Sequence, residues 1–232
     1  MEKPTLSTLE LIKKSLVEKG PLKVDVYQKT EVAFNQLKIV LKNLEVELLQ
    51  AMNAVDKRVV VKYVERGPFE LEFRISDDIL IFSMHTDIFT FQEGNQIWKN
   101  SYLTDERSRG YCGIISVYNF LTDSLKFNRV NDLGVLIARL FINNENHYFV
   151  EGKKQLGFLF NDFDKDELSN EKLREIAEST ILFSLNFDIL TPPFDQVRMI
   201  SVKELIEKNL AGVISTGKRL GFKLQSDGDI IG

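Results

Sequence analysis

The fold of this chain is decided by the stretch that begins at Phe34, FNQLKIVLKNLEVELLQAMNAV, and extends to Val55. Its apolar residues recur at alternating steps of three and four, as in the heptad seam of an amphipathic helix. They are Phe34, Leu37, Leu41, Leu44, Leu48, Ala51 and Val55. Val32, Ile39 and Val46 lie on the opposite side of the same helix. A helix that is apolar on two sides is usually sandwiched between its own domain and something else.

This pattern leads to one main hypothesis, a non-enzymatic interaction or regulatory module that self-associates through the helix at residues 30–55. A homodimer is expected, with a further protein partner as an option. The interface residues proposed for it are Phe34, Leu37, Leu41, Leu44 and Leu48. The alternative is that the helix is buried within its own domain, against a helix predicted over residues 6–19.

The segments outside this helix suggest three parts. Ser7 and Glu10 form a capping box that opens a short helix, and Gly20-Pro21 is expected to end it. Residues 22–29 are interpreted as a link, with Thr30 as the N-cap of the long helix. We therefore divide the chain into an N-terminal helical arm (1–26), a main domain (27–190) and a C-terminal helix and tail (191–232). A second capping box, Ser201 with Glu204, predicts the helix of that last part.

Beyond residue 55 the period of the apolar residues changes to two, which is typical of strands. Strands are predicted over residues 59–63, 69–75, 79–84, 87–92, 96–103 and 112–121. A helix over 132–142, a hairpin of 147–150 with 155–160, and a helix over 169–186 follow. The order predicts an α+β fold, an antiparallel β-meander with helices packed on one face and a long N-terminal helix.

Composition excludes several functional classes. The net charge is −4 and the basic residues are scattered, so no nucleic-acid partner is expected. No run of about 18 apolar residues occurs, so no membrane partner is expected. The chain has one cysteine, which fits a reducing compartment, and its start does not look like a secretory signal, so a cytoplasmic location is expected. The 17 phenylalanines predict a Phe-rich core or an apolar pocket.

The patterns that could hold a metal or a cofactor are incomplete. Asp162, Asp164 and Asp166 alternate as in a calcium loop, but Glu167 stands where the turn needs glycine and Leu173 where the last ligand belongs. Neither HExxH nor CxxC occurs. We therefore predict no metal site, no cofactor and no catalytic residue.

Two further hypotheses involve a ligand. The first is a small-ligand sensor with a Phe-rich apolar pocket, in which Arg107 and Arg109 bind an anionic group and Trp98 lines the site. The second is an enzyme with a non-standard site formed by Arg107, Arg109, Cys112 and His147.

The element order over residues 131–190 resembles the type III secretion chaperone-like fold, including a bacterial family of sensory-transduction regulators. The resemblance rests on a helix (132–142), an Asn-rich break, a hairpin (148–160) and a capped helix (169–186). It implies a small α+β dimer that binds other proteins and has no active site. It assigns no functional residue.

Overall fold

A computed structural model describes residues 7–153, 155–165, 167–187, 193–203 and 205–206. The helices are α1 (Thr8–Asn53), α2 (Ser101–Asp105), α3 (Thr122–Lys126), α4 (Gln155–Leu159), α5 (Asn170–Leu185) and α6 (Phe194–Val197). The strands are β1 (Val61–Gly67), β2 (Glu70–Ile75), β3 (Asp78–Met84), β4 (Cys112–Leu121), β5 (Val135–Asn143) and β6 (Tyr148–Gly152). These elements confirm the predicted α+β meander with a long N-terminal helix.

The six strands form one sheet in which every strand pairs antiparallel with its neighbour in sequence. Helices α1 and α5 lie on the same face of this sheet, which we call the helix face. The core beneath them includes Phe73 and Phe82 from adjacent strands, together with Ile115 and Leu140. Alternate residues of each strand point to the two faces, so a second set of side chains remains for the opposite face.

Helix α1 is continuous through Gly20 and Pro21, and the predicted break there and the predicted link at 22–29 are wrong. A proline destabilises a helix interior without forbidding it. Its clash with the preceding residue involves that residue's Cβ, which Gly20 lacks. Thr30 is therefore not an N-cap. It lies inside the helix, where its hydroxyl donates to the carbonyl of Val26 at 2.8 Å.

The residues proposed as an interface are part of the internal core. Phe34, Leu37, Leu41 and Leu44 are buried against the sheet, and Leu48 is half-buried beside them. The interface assignment is therefore corrected: the helix is buried within its own domain, but against the sheet. Residues 8–19, expected as a separate helix packed on it, are part of the same continuous helix α1. The opposite side of the helix, with Val32, Ile39 and Val46, is exposed.

Four other predicted elements are also corrected. Residues 87–92 form only an isolated bridge from Phe89 to Cys112, and residues 96–103 form a 3₁₀ turn and α2 rather than strands. Residues 132–142 contain most of strand β5 rather than a helix, and residues 155–159 form helix α4 rather than a strand. The helix–hairpin–helix order that supports the family resemblance is therefore not the order seen here.

Two of the predicted helix caps lie within the described residues and are present. The Ser7–Glu10 capping box is present at the start of α1. Ser169 caps α5, which confirms the predicted helix. Its buried residues are Leu173, Ile176, Ala177, Thr180, Ile181 and Ser184. Glu204 of the second capping box and residues 207–232 lie outside the described residues, and the division into three parts remains a prediction.

Helix α1 makes a tight contact with the sheet where Thr30 crosses Gly113 of β4. A Cβ atom at Gly113 would lie 2.8 Å from the Cβ of Thr30, and still nearer to its hydroxyl. We expect Gly113→Ala to lower the free energy of unfolding by about 1–3 kcal/mol, because overpacking displaces α1. Urea unfolding measures the change. The matched control is Gly94→Ala, where a Cβ meets no atom within 4 Å; equal stability of the two variants would contradict this packing.

Candidate functional site

The face of the sheet opposite α1 is covered in part by residues 85–111, which we call the covering segment. This segment connects β3 with β4. Leu103 is fully buried against Cys112 and Ile114 of β4, and Phe91 packs against the same cluster. The apolar side chains that strands β4–β6 place on this face, Phe141 and Phe149 among them, form a second core.

An open groove of about 940 Å³ lies between the covering segment, strands β5 and β6, and the region of α4. Six phenylalanines line it: Phe89, Phe91, Phe141, Phe149, Phe158 and Phe163. Five residues with side-chain amides also line it: Gln92, Asn95, Gln96, Asn100 and Asn161. Phe158 is 85% exposed, so its ring is available for contact. We call this feature the Phe groove.

The floor of the Phe groove is a set of aromatic rings in mutual contact. Phe141 and Phe149, opposite each other on β5 and β6, stack with centroids 4.6 Å apart. Phe91 lies 5.5 Å from Phe141, and Phe163 lies 5.0 Å from Phe149. Rings held in this way lose little freedom when a ligand binds, so the groove floor is preformed.

The lining of the Phe groove includes an ion pair. Arg139 of β5 and Glu151 of β6 face each other across the strand pair, and the Nε of Arg139 donates to a Glu151 carboxylate oxygen at 2.7 Å. The guanidinium also lies 5.5 Å from the centroid of the Phe141 ring. Both charged side chains are partly exposed. An exposed ion pair contributes little stability, so an anionic ligand can compete with Glu151 for Arg139.

A hydrogen-bonded group beside the groove joins the covering segment to the β5–β6 turn. Its members, which we call the Tyr102 cluster, are Tyr102, Arg109, Asn143, Glu145 and His147. The Tyr102 hydroxyl donates to Glu145 at 2.7 Å and accepts from Asn143 at 2.9 Å. Arg109 donates to Glu145 at 3.0 Å and stacks over the Tyr102 ring. The His147 ring also stacks on the Tyr102 ring, with the two ring centroids 4.9 Å apart.

The electrostatics of the Tyr102 cluster favour a charged Glu145. The hydrogen bond from Tyr102 and the neighbouring Arg109 guanidinium hold the pKa of the Glu145 carboxyl below its usual value. Burial raises the pKa of the Tyr102 phenol, and the Glu145 charge raises it further. Tyr102 therefore remains a proton donor. The cluster is built to hold the covering segment in place rather than to exchange protons.

The three residues predicted from the sequence to bind a ligand are each in contact with other side chains. Arg107 stacks over Trp98, with the guanidinium 4.8 Å from the indole centroid. Arg109 is engaged by Glu145, so it serves the Tyr102 cluster. Trp98 packs beside Phe91, and its indole N–H donates to the Gln92 carbonyl at 3.0 Å. Trp98 therefore packs against Phe91 and Gln92, two residues that line the Phe groove.

The proposed enzyme site does not have the chemistry of a nucleophile. Cys112 is fully buried, and burial raises the pKa of its thiol. The thiol therefore stays protonated at neutral pH, whereas a nucleophile needs the thiolate. The Nδ1 of His147 lies 3.0 Å from the carbonyl of Phe163, which occupies that nitrogen. Within the described residues, no group of three or more His, Cys, Asp or Glu side chains could hold a metal ion.

The sequence pattern does not bring together most of the residues that form the groove. It predicts a helix at Phe141 and a hairpin strand at Phe149, whereas the pairing of these residues depends on β5 being a strand. It predicts a strand at Phe158, which belongs to α4. The one signal that pointed here was the large number of phenylalanines, 17 in the chain.

Comparisons with known proteins give no match: no family model, no curated protein and no solved structure is similar to this chain. Among the described residues, no helix combines the length and the apolar composition needed to span a membrane.

The Tyr102 cluster predicts a pH-dependent stability. Because the pKa of Glu145 is lower in the folded chain, its contribution is present above the unfolded value of about 4.3 and is lost as pH falls through the folded value. We expect Glu145→Gln to have a lower Tm than wild type at pH 7, with the gap closing below about pH 4. Thermal unfolding across this range measures it, with Glu93→Gln as the control. A gap that stays constant with pH would contradict the assignment.

Proposed function

We propose that this protein is a non-enzymatic binding protein for a small amphiphilic molecule, which it holds in the Phe groove. The observation that carries the proposal is the groove itself, about 940 Å³ in volume and lined by six phenylalanines. Small-molecule sites typically measure about 300–1,000 Å³ and combine apolar walls with a few polar groups. The Phe groove has this combination, so a sensor or carrier is the function that the geometry supports best.

The ligand chemistry follows from the residues that line the groove. The stacked rings of Phe141 and Phe149 and the exposed ring of Phe158 suit an aromatic or aliphatic body. Arg139 in the same lining suits an anionic head such as a carboxylate or sulfonate, because a guanidinium binds these groups through two parallel hydrogen bonds. The lining amides suit further hydrogen bonds. We therefore propose an aromatic or aliphatic anion as the ligand class.

Anilinonaphthalene sulfonate, an aromatic sulfonate, tests the apolar half of the site. We expect one molecule to bind per chain, with energy transfer from Trp98, the single tryptophan, which packs behind the groove wall. Phe158→Ala should weaken binding about tenfold, because the exposed ring contributes roughly 1–2 kcal/mol of contact. Fluorescence titration measures this. Phe127→Ala, at another partly exposed phenylalanine, is the control.

Equal losses at Phe158 and Phe127 would show that the dye binds exposed rings non-specifically, and would contradict the proposed site. Absence of a saturable site in wild type would do the same.

A second titration tests the contact between Arg139 and the anionic group of the ligand. Arg139→Gln should reduce the affinity for the sulfonate about tenfold, since a hydrogen bond to a charged group contributes roughly 1.5–3 kcal/mol. The matched control is Arg66→Gln, because Arg66 forms a comparable ion pair with Glu72 elsewhere on the sheet. If both variants bind the dye as wild type does, Arg139 does not contact the anionic group.

A further inference from the structure

The exposed side of α1 carries a regular line of β-branched residues. Val17, Val24, Val32, Ile39 and Val46 follow one another at steps of seven, eight, seven and seven. At 100° per residue they fall within an arc of about 80°. Each is more than half exposed. We call this line the outer stripe, and it lies opposite the side of α1 that packs on the sheet.

The positions of the outer stripe are nearly symmetric along the helix. Val17 and Val46 lie equally far from a point between residues 31 and 32, and Val24 and Ile39 do so as well. Val32 lies next to that point. An antiparallel second copy of α1, related by a two-fold axis there, would therefore bring Val17 opposite Val46 and Val24 opposite Ile39, and would place the two copies of Val32 one residue apart across the axis. A two-fold interface requires this self-complementarity.

The first part of α1 gives a reason for a partner. Residues 8–19 are exposed throughout, and Val26 is the first buried residue of the helix. This overhanging part, residues 8–25, is about 27 Å long and contains Gly20 and Pro21. Gly20 and Pro21 both lower the helix propensity of this part, so packing against a partner would stabilise it. In the antiparallel arrangement, it would lie along the sheet-backed half of the other copy.

Charge and size agree with a second copy as the occupant. Residues 7–29 carry five lysines and three acidic residues, whereas residues 30–53 carry three glutamates and two lysines. Antiparallel pairing places the basic half beside the acidic half. Overlap from residue 10 to residue 53 gives a strip about 65 Å long and about 10 Å wide, which approaches the roughly 800 Å² per partner of a standard interface.

We propose that the protein forms an antiparallel homodimer through the outer stripe of α1, with the two-fold axis beside Val32. This surface is independent of the Phe groove, which lies on the opposite face of the sheet. It replaces the interface inferred from sequence, because that one faces the core.

Sedimentation of the full chain tests the dimer. Wild type is expected to show twice the monomer mass. Val32→Glu is expected to raise the dissociation constant of the dimer at least tenfold, because two like charges then meet at the axis. Val130→Glu is the matched control at an exposed valine outside α1. Circular dichroism shows that each variant is folded. A wild type that stays monomeric at about 100 μM, or a folded Val32→Glu dimer of unchanged affinity, overturns the proposal.

Cross-linking tests the direction of pairing. The native Cys112 is buried, so introduced cysteines are the accessible thiols. The double variant V17C/V46C is expected to form covalent dimers under mild oxidation, and V17C alone is not, because the two copies of residue 17 would be about 43 Å apart. Efficient cross-linking of V17C alone would indicate parallel pairing and overturn the antiparallel arrangement.

Discussion

The structure depends on the packing of the middle of α1 across one face of the sheet. Phe34, Leu37 and Leu41 fill the layer between this helix and strands β1–β5, and Thr30 lies directly on Gly113. Glycine is required there because any side chain would push the helix away from β4. This contact and the buried apolar residues beside it place one side of α1 toward the core and the other side outward.

The sheet has two faces with different roles. The helix face holds the main core and gives the domain its stability, because α1 and α5 cover it with long apolar side chains. The other face is covered by a segment held through the Tyr102 cluster, in which Glu145 joins Tyr102 and Arg109. Polar contacts of this kind fix geometry, since a buried hydroxyl left without a partner is destabilising. The Phe groove is formed where this second cover is incomplete.

Part of this arrangement could be predicted from the sequence, and the reasons are physical. In strand β2, apolar Leu71, Phe73 and Ile75 alternate with charged residues. One face of the strand is therefore polar, and the two-residue period of a strand is clear in the sequence. Strand β5 has no such contrast, because Ile137, Ala138 and Leu140–Ile142 are buried on both faces. A continuous apolar run does not distinguish a buried strand from a helix.

The heptad seam of α1 can be predicted from the sequence, but a seam alone does not say which side meets the sheet. The stronger stripe, with Phe34 and the leucines, faces the chain's own core, and the weaker valine stripe faces outward. The groove could not be predicted because its phenylalanines come from five separate parts of the chain: the covering segment, β5, β6, α4 and the loop after α4. Only the register of β5 with β6 brings Phe141 and Phe149 together.

The neighbour-to-neighbour order of the strands has a consequence for how such a protein can diversify. Strands β3 and β4 are adjacent and antiparallel in the sheet, so the 27 residues between them begin and end at neighbouring strand ends. A short turn could replace these residues without changing strand order or the layer under α1. The scaffold and the groove wall can therefore vary separately, so descendants that keep the same framework are free to acquire a different recognition surface.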